Sequence, residues 1–208
     1  MKYLSVLILF PLLLWNCKTS NKFVHNKSLF NGEDLKGWRV FGTEKWYVND
    51  GGELIGKSGP DHDYGYLATR KFYKNFILEL EFLQEANTSS GVFFRSTLKG
   101  NDIHGWEAEV APPGKHTGGI YESHEYGWMV KPTMGGTNSL KMGEWNSMKI
   151  YVNGDMVRTW LNGRQLLELQ DEKIGEGKGR IALQLHAGDD NMVRWRNIVI
   201  HTEMADEL

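Results

Sequence analysis

The stretch HGWEAEVAPPG, His104 to Gly114, sets Glu107 and Glu109 two residues apart between a tryptophan and a proline turn. In a strand successive side chains point to opposite faces, so Glu107 and Glu109 share one face and Trp106, Ala108 and Val110 share the other. Two carboxyls on one face have the parts for acid–base work, one giving a proton and the other taking one. The same pair also suits an ordinary solvated sheet face, where exposed glutamate is the default. Spacing alone leaves both readings open. It also leaves room for a two-carboxylate glycosidase, because two strand rises separate the Cβ atoms by ~6.7 Å and side-chain rotamers shift the carboxyls either way.

Other titratable and polar residues fall into the same kind of pattern. In GRIALQLH, Gln184 and His186 share a face opposite Leu183 and Leu185. A histidine there can act as base, acid or metal ligand, or simply hold a loop. Arg95, which closes GVFFR, alternates away from Phe94 and shares its face with Phe93. A guanidinium there can donate to a ligand oxygen, and an ordinary sheet-face ion pair with Glu107 serves it equally well. The chain has eight tryptophans and eight tyrosines. Tyr121, Tyr126 and Trp128 lie in the polar stretch GGIYESHEYGWMVKP, which reads as a loop able to stack on a ligand ring, whereas Trp145, Trp160 and Trp195 lie in alternating runs and read as core. Glu122, His124 and Glu125 with His116 offer metal-ligand types, as does the acidic turn Gly188 to Asn191. Neither has diagnostic ligand spacing, so a divalent cation stays open and no cofactor is assigned.

These residues must be positioned by strands. From Ser28 onward the sequence consists of short alternating runs separated by glycine and asparagine turns. In FILELEFLQ, Leu78, Leu80 and Phe82 face one way and Glu79 and Glu81 the other. MKIYVNGDMVRTWLNGRQLLEL reads as a three-strand meander, with turns at Asn153-Gly154-Asp155 and Asn162-Gly163. No long 3.6-period run competes. So many strands cannot bury their faces in one sheet, and the expectation is an all-β, two-sheet jelly-roll sandwich over residues 28–204, in which a concave outer face would form a groove.

Composition narrows the function classes. The 208 residues carry 24 Lys+Arg against 26 Asp+Glu, a formal net charge of -2, and no basic stretch, which argues against nucleic-acid binding. MKYLSVLILFPLLLWNC, residues 1–17, runs apolar from Leu4 to Trp15 and stops at Cys17, the sole cysteine. The run is shorter than the ~20 residues that span a bilayer, and it reads as an export signal. It resembles a bacterial lipoprotein signal in which Cys17 becomes the lipidated terminus, although Asn16 stands where a small residue is usual and Trp15 is bulky; the competing reading, a plain secretory signal, leaves the cysteine's position as coincidence. Residues 18–27 are then a tether. The expected location is the cell envelope, anchored to a membrane on its periplasmic face.

Taken in order, SLFNGEDLKGW, WYVNDGGELIG, SGVFFRS, GWEAEV, TGGIY, GEWNSMKIYVNGDMVRTWLNG, LQLHAG and VRWRNIVI resemble the 3-keto-disaccharide hydrolase domain family across Ser28 to Glu203. The resemblance implies a concanavalin A-like sandwich, an exported enzyme acting on sugars oxidised at C3, and functional partnership with a sugar 3-dehydrogenase. Glu107 matches the family's glutamate, and Glu109 stands where an amide is common. Gln184 and His186 match a Leu-Gln-Asp-His-Gly stretch whose aspartate is replaced here by Leu185.

A ketone at C3 acidifies the hydrogen on C2. A base removes that proton, the enolate expels the C1 substituent as the glycosidic bond breaks, and water adds to the enone. This route needs one base, donors around the enolate oxygen and an acid for the leaving group. The implied assignment gives acid–base work to Glu107 and His186 and ketone polarisation to Arg95. Substrate contacts fall to Glu109, Gln184, Tyr121 and Trp128, with a 3-keto-glycoside as the ligand. The rival is a lectin-like carbohydrate-binding module, which needs aromatic platforms and neutral hydrogen bonders but no convergent titratable groups.

Overall fold

The computed structural model of the chain describes residues 25–85, 88–132, 139–175 and 177–203. Residues 1–17 with Cys17, and most of the expected tether, lie outside them. Fifteen strands are formed among the described residues: β1 (His25–Ser28), β2 (Trp38–Phe41), β3 (Lys45–Val48), β4 (Leu54–Lys57), β5 (Gly65–Thr69), β6 (Phe76–Gln84), β7 (Ser90–Lys99), β8 (Asp102–Val110), β9 (Ile120–Glu122), β10 (Gly127–Val130), β11 (Asn146–Asn153), β12 (Met156–Leu161), β13 (Arg164–Gln170), β14 (Arg180–Leu185) and β15 (Met192–Thr202). One short helix, α1 (Glu172–Gly175), joins β13 to β14. None of the described helices is long and apolar enough to cross a membrane.

The strands form two antiparallel sheets. The larger runs β13-β12-β11-β6-β15-β4-β3, and β1 pairs with the C-terminal half of β15. The smaller runs β10-β9-β8-β7-β14-β5-β2. Stacked together they make the two-sheet jelly roll expected from the alternation. Phe76, Leu78, Leu80 and Phe82 of β6 point inward with Trp195, meeting Val92, Phe94, Leu183 and Leu185 from the smaller sheet. Each such side chain contributes ~1.5–3 kcal/mol when fully buried, which makes this layer the main source of stability. On the outer side of β6, Glu79 pairs with His201 at 3.1 Å and Glu81 with Arg196 at 2.5 Å. The meander is β11-β12-β13, and its Asn162-Gly163 turn has positive φ at both residues, 49° and 80°.

Three expectations are corrected. His25, Asn26 and Lys27, assigned to the tether, are paired in β1. All four β1 side chains are exposed, so backbone pairing with β15 holds the strand and no hydrophobic alternation announces it. Trp145 and Trp160 are not core. Trp160 lies under Lys149, 4.4 Å from its ring, and Trp145 under Arg196 at 4.0 Å, so cation–π contacts cover them on the outer face. Trp195 is fully buried, as expected.

Candidate active site

The smaller sheet has a second apolar layer on its outer face: Phe41, Tyr66, Ala68, Phe93, Ile103 and Ala182. These residues come from β2, β5, β7, β8 and β14, and Tyr66, Phe93 and Ile103 line a cleft of about 700 Å³. That volume suits a small ligand. The same cleft receives Glu107, Glu109, Gln184, His186, Tyr121 and Trp128, six of the residues singled out from sequence.

Register explains how they meet. On β8, Glu107 stands opposite Phe93 on one side and Tyr121 on the other, while Glu109 stands opposite Gly91. Gly91 in turn pairs with Gln184, which pairs with Tyr66. Two adjacent rows therefore cross the sheet, one carrying Glu107 and the next carrying Glu109, Gln184 and Tyr66. The Glu107 carboxyl leans over Gly91, where any Cβ would collide with it. A glycine at 91 is thus what lets the acid lie flat on the sheet.

Glu107 is 4% exposed, and its Oε1 has no protein hydrogen-bond partner. Burial, and then the Glu109 charge, hold its carboxyl well above the usual glutamate range. Glu109 is half-buried, and burial pushes it up to about 7. Two carboxyls so placed cannot both ionise readily, and they titrate as a pair. The pair therefore resists full ionisation, and its singly protonated state holds both an acid and a base.

His186 lies just beyond the end of β14. Its Nδ1 is 3.0 Å from the Ala187 carbonyl, which can only accept, so Nδ1 carries the proton in this arrangement. Nε2 then accepts from the Tyr64 hydroxyl at 3.2 Å. The Tyr64 phenol is held above its usual range by burial and then by the Glu107 charge, so it is a proton donor at neutral pH. At the opposite wall the Tyr121 and Trp128 rings meet edge to face, 5.5 Å apart. They occupy β9 and β10, where a loop was expected, and still face the cleft. Tyr126 instead packs under Lys173, 3.4 Å from its ring.

Arg95 is a correction. Alternation puts it beside Phe93, but the β7 register shifts between Phe94 and Thr97 and Arg95 takes a positive φ of 48°. This bulge turns the side chain out of the cleft face. Its guanidinium donates to the Lys74 carbonyl at 2.9 Å, the Gly154 carbonyl at 2.8 Å and Asn75 Oδ1 at 3.2 Å, tying the approach to β6 to the β11-β12 turn. Gly179 makes room, since a Cβ there would strike the Arg95 backbone. Leu185, where the resemblance expected an acid, is fully buried in the core.

The residues of metal-ligand type noted in the sequence, Glu122, His124, Glu125 and His116, do not converge as one set among the described residues. Glu122 Oε2 accepts from the backbone amides of His124, Glu125 and Tyr126 at 3.1, 2.6 and 2.9 Å, so it caps a turn. His116 packs edge-on against Trp128. In the acidic turn, Asp189 pairs with His62, and the Asn191 amide donates to the His186 and Ala187 carbonyls. Sequence reasoning missed Tyr64 and Tyr66. Their signal was the alternation Tyr64-Gly65-Tyr66, which points two tyrosines to one face.

Fold and cleft together define a concanavalin A-like jelly roll with a carboxylate-bearing ligand cleft on its smaller sheet. Residues 25–201 match the 3-keto-alpha-glucoside-1,2-lyase-like domain, and the chain belongs to that family. A 3-keto-disaccharide hydrolase of Bacteroides thetaiotaomicron is 27% identical over 209 residues, covering 79% of this chain and 69% of that protein. A carbohydrate binding module from Bacillus subtilis superposes with a TM-score of 0.64 at 14% identity, covering 80% of this chain and 96% of that one. The Bacillus licheniformis beta-glucanase superposes at 0.57 and 14% identity, covering 88% and 100%. At such identities the likeness is one of fold, and one frame serves both a binding module and a glucanase.

Proposed function

We propose that this protein cleaves the glycosidic bond of 3-keto-glycosides by C2 deprotonation and elimination, followed by hydration. The observation that carries the reading is the convergence of two elevated carboxyls with a Tyr64–His186 couple in one cleft. A binding module can hold sugar hydroxyls with neutral donors and acceptors and does not require such titratable groups, whereas acid–base chemistry does. Glu107 takes the C2 proton. The Tyr64 hydroxyl, turning from His186 Nε2 to the leaving oxygen, gives up its proton there and recovers one from the water that adds in the hydration step. With Arg95 turned away, the enolate oxygen is met by neutral donors, the Tyr66 hydroxyl and the Gln184 amide. Glu109 sets the charge beside Glu107, and Tyr121 and Trp128 stack on the sugar.

The direct test presents the protein with a glucoside and its matched 3-keto-glucoside and follows aglycone release in heavy water. The expected result is cleavage of the keto substrate alone, with deuterium at C2 of the product. Cleavage of both substrates without C2 labelling would make the protein a paired-carboxylate glycosidase, and binding without turnover would make it a lectin-like module.

The reading extends to location and supply. A 3-keto substrate has to be made by a sugar 3-dehydrogenase, which is the functional partner proposed here. The residues 1–17 pattern supports export and lipid anchoring at Cys17, with the domain held at the periplasmic face of a membrane.

A further inference from the structure

The β7-β8 hairpin and the β9-β10 turn meet at the rim of the cleft, and there they bring together three side chains that the proposed reaction does not use. Asp102 opens β8, His104 follows two residues later, and His124 sits in the turn after β9. The two imidazole rings are stacked, with centroids 3.7 Å apart and planes inclined by 12°. Nε2 of His104 lies 3.6 Å from one Asp102 oxygen and Nε2 of His124 lies 3.8 Å from the other. One ligand atom from each residue falls within 4.8 Å of the other two.

We propose that Asp102, His104 and His124 form a three-ligand site for Zn²⁺, with a further coordination position open to water at the cleft rim. Two imidazole nitrogens and one carboxylate oxygen are the donors a borderline cation prefers, whereas Mg²⁺ and Ca²⁺ favour oxygen cages. Bonds of ~2.0–2.2 Å put tetrahedral ligand atoms about 3.4 Å apart, so binding requires the two stacked rings to rotate out of their stack until both Nε2 lone pairs point at one ion, a change open to exposed side chains.

The backbone is already in place for such an ion. Glu122 holds the turn carrying His124 through three amide hydrogen bonds. Ser123 ties that turn to β8, its Oγ accepting from the Gly105 amide at 3.1 Å and donating to the Ile103 carbonyl at 2.8 Å. Supporting hydrogen bonds around a ligand shell are a recurrent feature of metal sites. Asp102 also lines the cleft, so the ion would sit at its mouth with its open position toward an entering ligand. This site does not depend on the chemistry proposed at Glu107.

The test is Zn²⁺ uptake by the full chain, without a polyhistidine tag, measured by equilibrium dialysis and elemental analysis. The expected result is one Zn²⁺ per chain, weakened at least ~10-fold in both His104→Ala and His124→Ala and unchanged in Glu107→Gln. Cobalt substitution should give the visible absorption of a four-coordinate site in the wild type and lose it in both histidine variants. If either variant loses its fold by far-ultraviolet circular dichroism, Asp102→Asn serves the same comparison. Three results would overturn the proposal: no uptake by the wild type at micromolar Zn²⁺, undiminished uptake by the ligand variants, or loss in Glu107→Gln alone.

Discussion

Glu107 and Glu109 face the same cleft, yet their surroundings give them different tasks. Glu107 is buried deeper and feels its neighbour's charge as well as its own burial. A carboxyl held high is protonated at lower pH and becomes a base as pH rises, so kcat/KM for a 3-keto substrate should climb along an acid limb set by the pair. Glu107→Gln keeps the shape and removes the base, and turnover should fall by about 10²–10⁴-fold. Glu109→Gln removes the negative charge that helps hold Glu107 up, so the acid limb should move to lower pH while much of the activity persists. A pH profile of aglycone release for both variants checks this. Severe loss in Glu109→Gln together with a shifted limb in Glu107→Gln would exchange the two roles.

At the scale of elements, the bulge in β7 decides what that strand contributes. An unbroken β7 would aim Arg95 into the cleft beside Phe93. The bulge instead spends all three described hydrogen bonds of its guanidinium on holding the approach to β6 against the β11-β12 turn. Arg95→Lys keeps the charge but cannot reproduce the planar fork. It should cost roughly 1–3 kcal/mol of stability, as part-buried hydrogen bonds from a charged donor are lost, while kcat/KM of the folded fraction stays near the wild-type value. Denaturant melts beside active-site-titrated kinetics would separate the two effects. A loss of turnover with unchanged stability would return Arg95 to the chemistry.

For the whole molecule, two features outside the cleft matter. Glu44 is 5% exposed at the edge of the sandwich, pressed against Gly42 and Gly65. No hydrogen bond of good geometry reaches either oxygen, and the nearby amides of Glu44 and Thr43 offset its burial only in part, so its carboxyl is held above the usual range. Such a group favours the folded state below the ordinary glutamate pKa, and that stability is lost as pH rises toward the elevated folded value, because unfolding then releases a proton. Glu44→Gln does not titrate, so its melting temperature should gain on the wild type between pH 4 and pH 7.5. An equal difference at both ends would exclude a titrating Glu44. The second feature is the proposed anchor: Cys17→Ser should move the protein from the membrane fraction to the soluble periplasm, because a lipid on that thiol is the only strong anchor proposed. Fractionation and blotting would read this, and unchanged membrane association would refute it.

The period-two alternation by itself determined the fold class, the β11-β12-β13 meander and the inward set of Leu78, Leu80, Phe82, Leu183 and Leu185, because a side chain's face along a regular strand is a local property. It also put Glu107, Glu109 and Gln184 on the cleft side of their strands, with His186 at the same cleft just past the end of β14. Local pattern failed where backbone geometry broke the alternation, as at Arg95, and where pairing needed no apolar side chains, as in β1. It failed again for Trp160, because a strand's alternation does not say which of its faces is covered by cations and which by the other sheet, and for Trp145, which stands just before β11 and outside any strand. Only the tertiary structure decided that Glu109 stands in a row with Gly91, Gln184 and Tyr66, that Tyr64 meets His186 across 122 residues of sequence, and that Asp102, His104 and His124 converge at the cleft rim. The physical reason is register: which residues stand side by side across strands is set by pairing between distant segments, and no single strand carries that information.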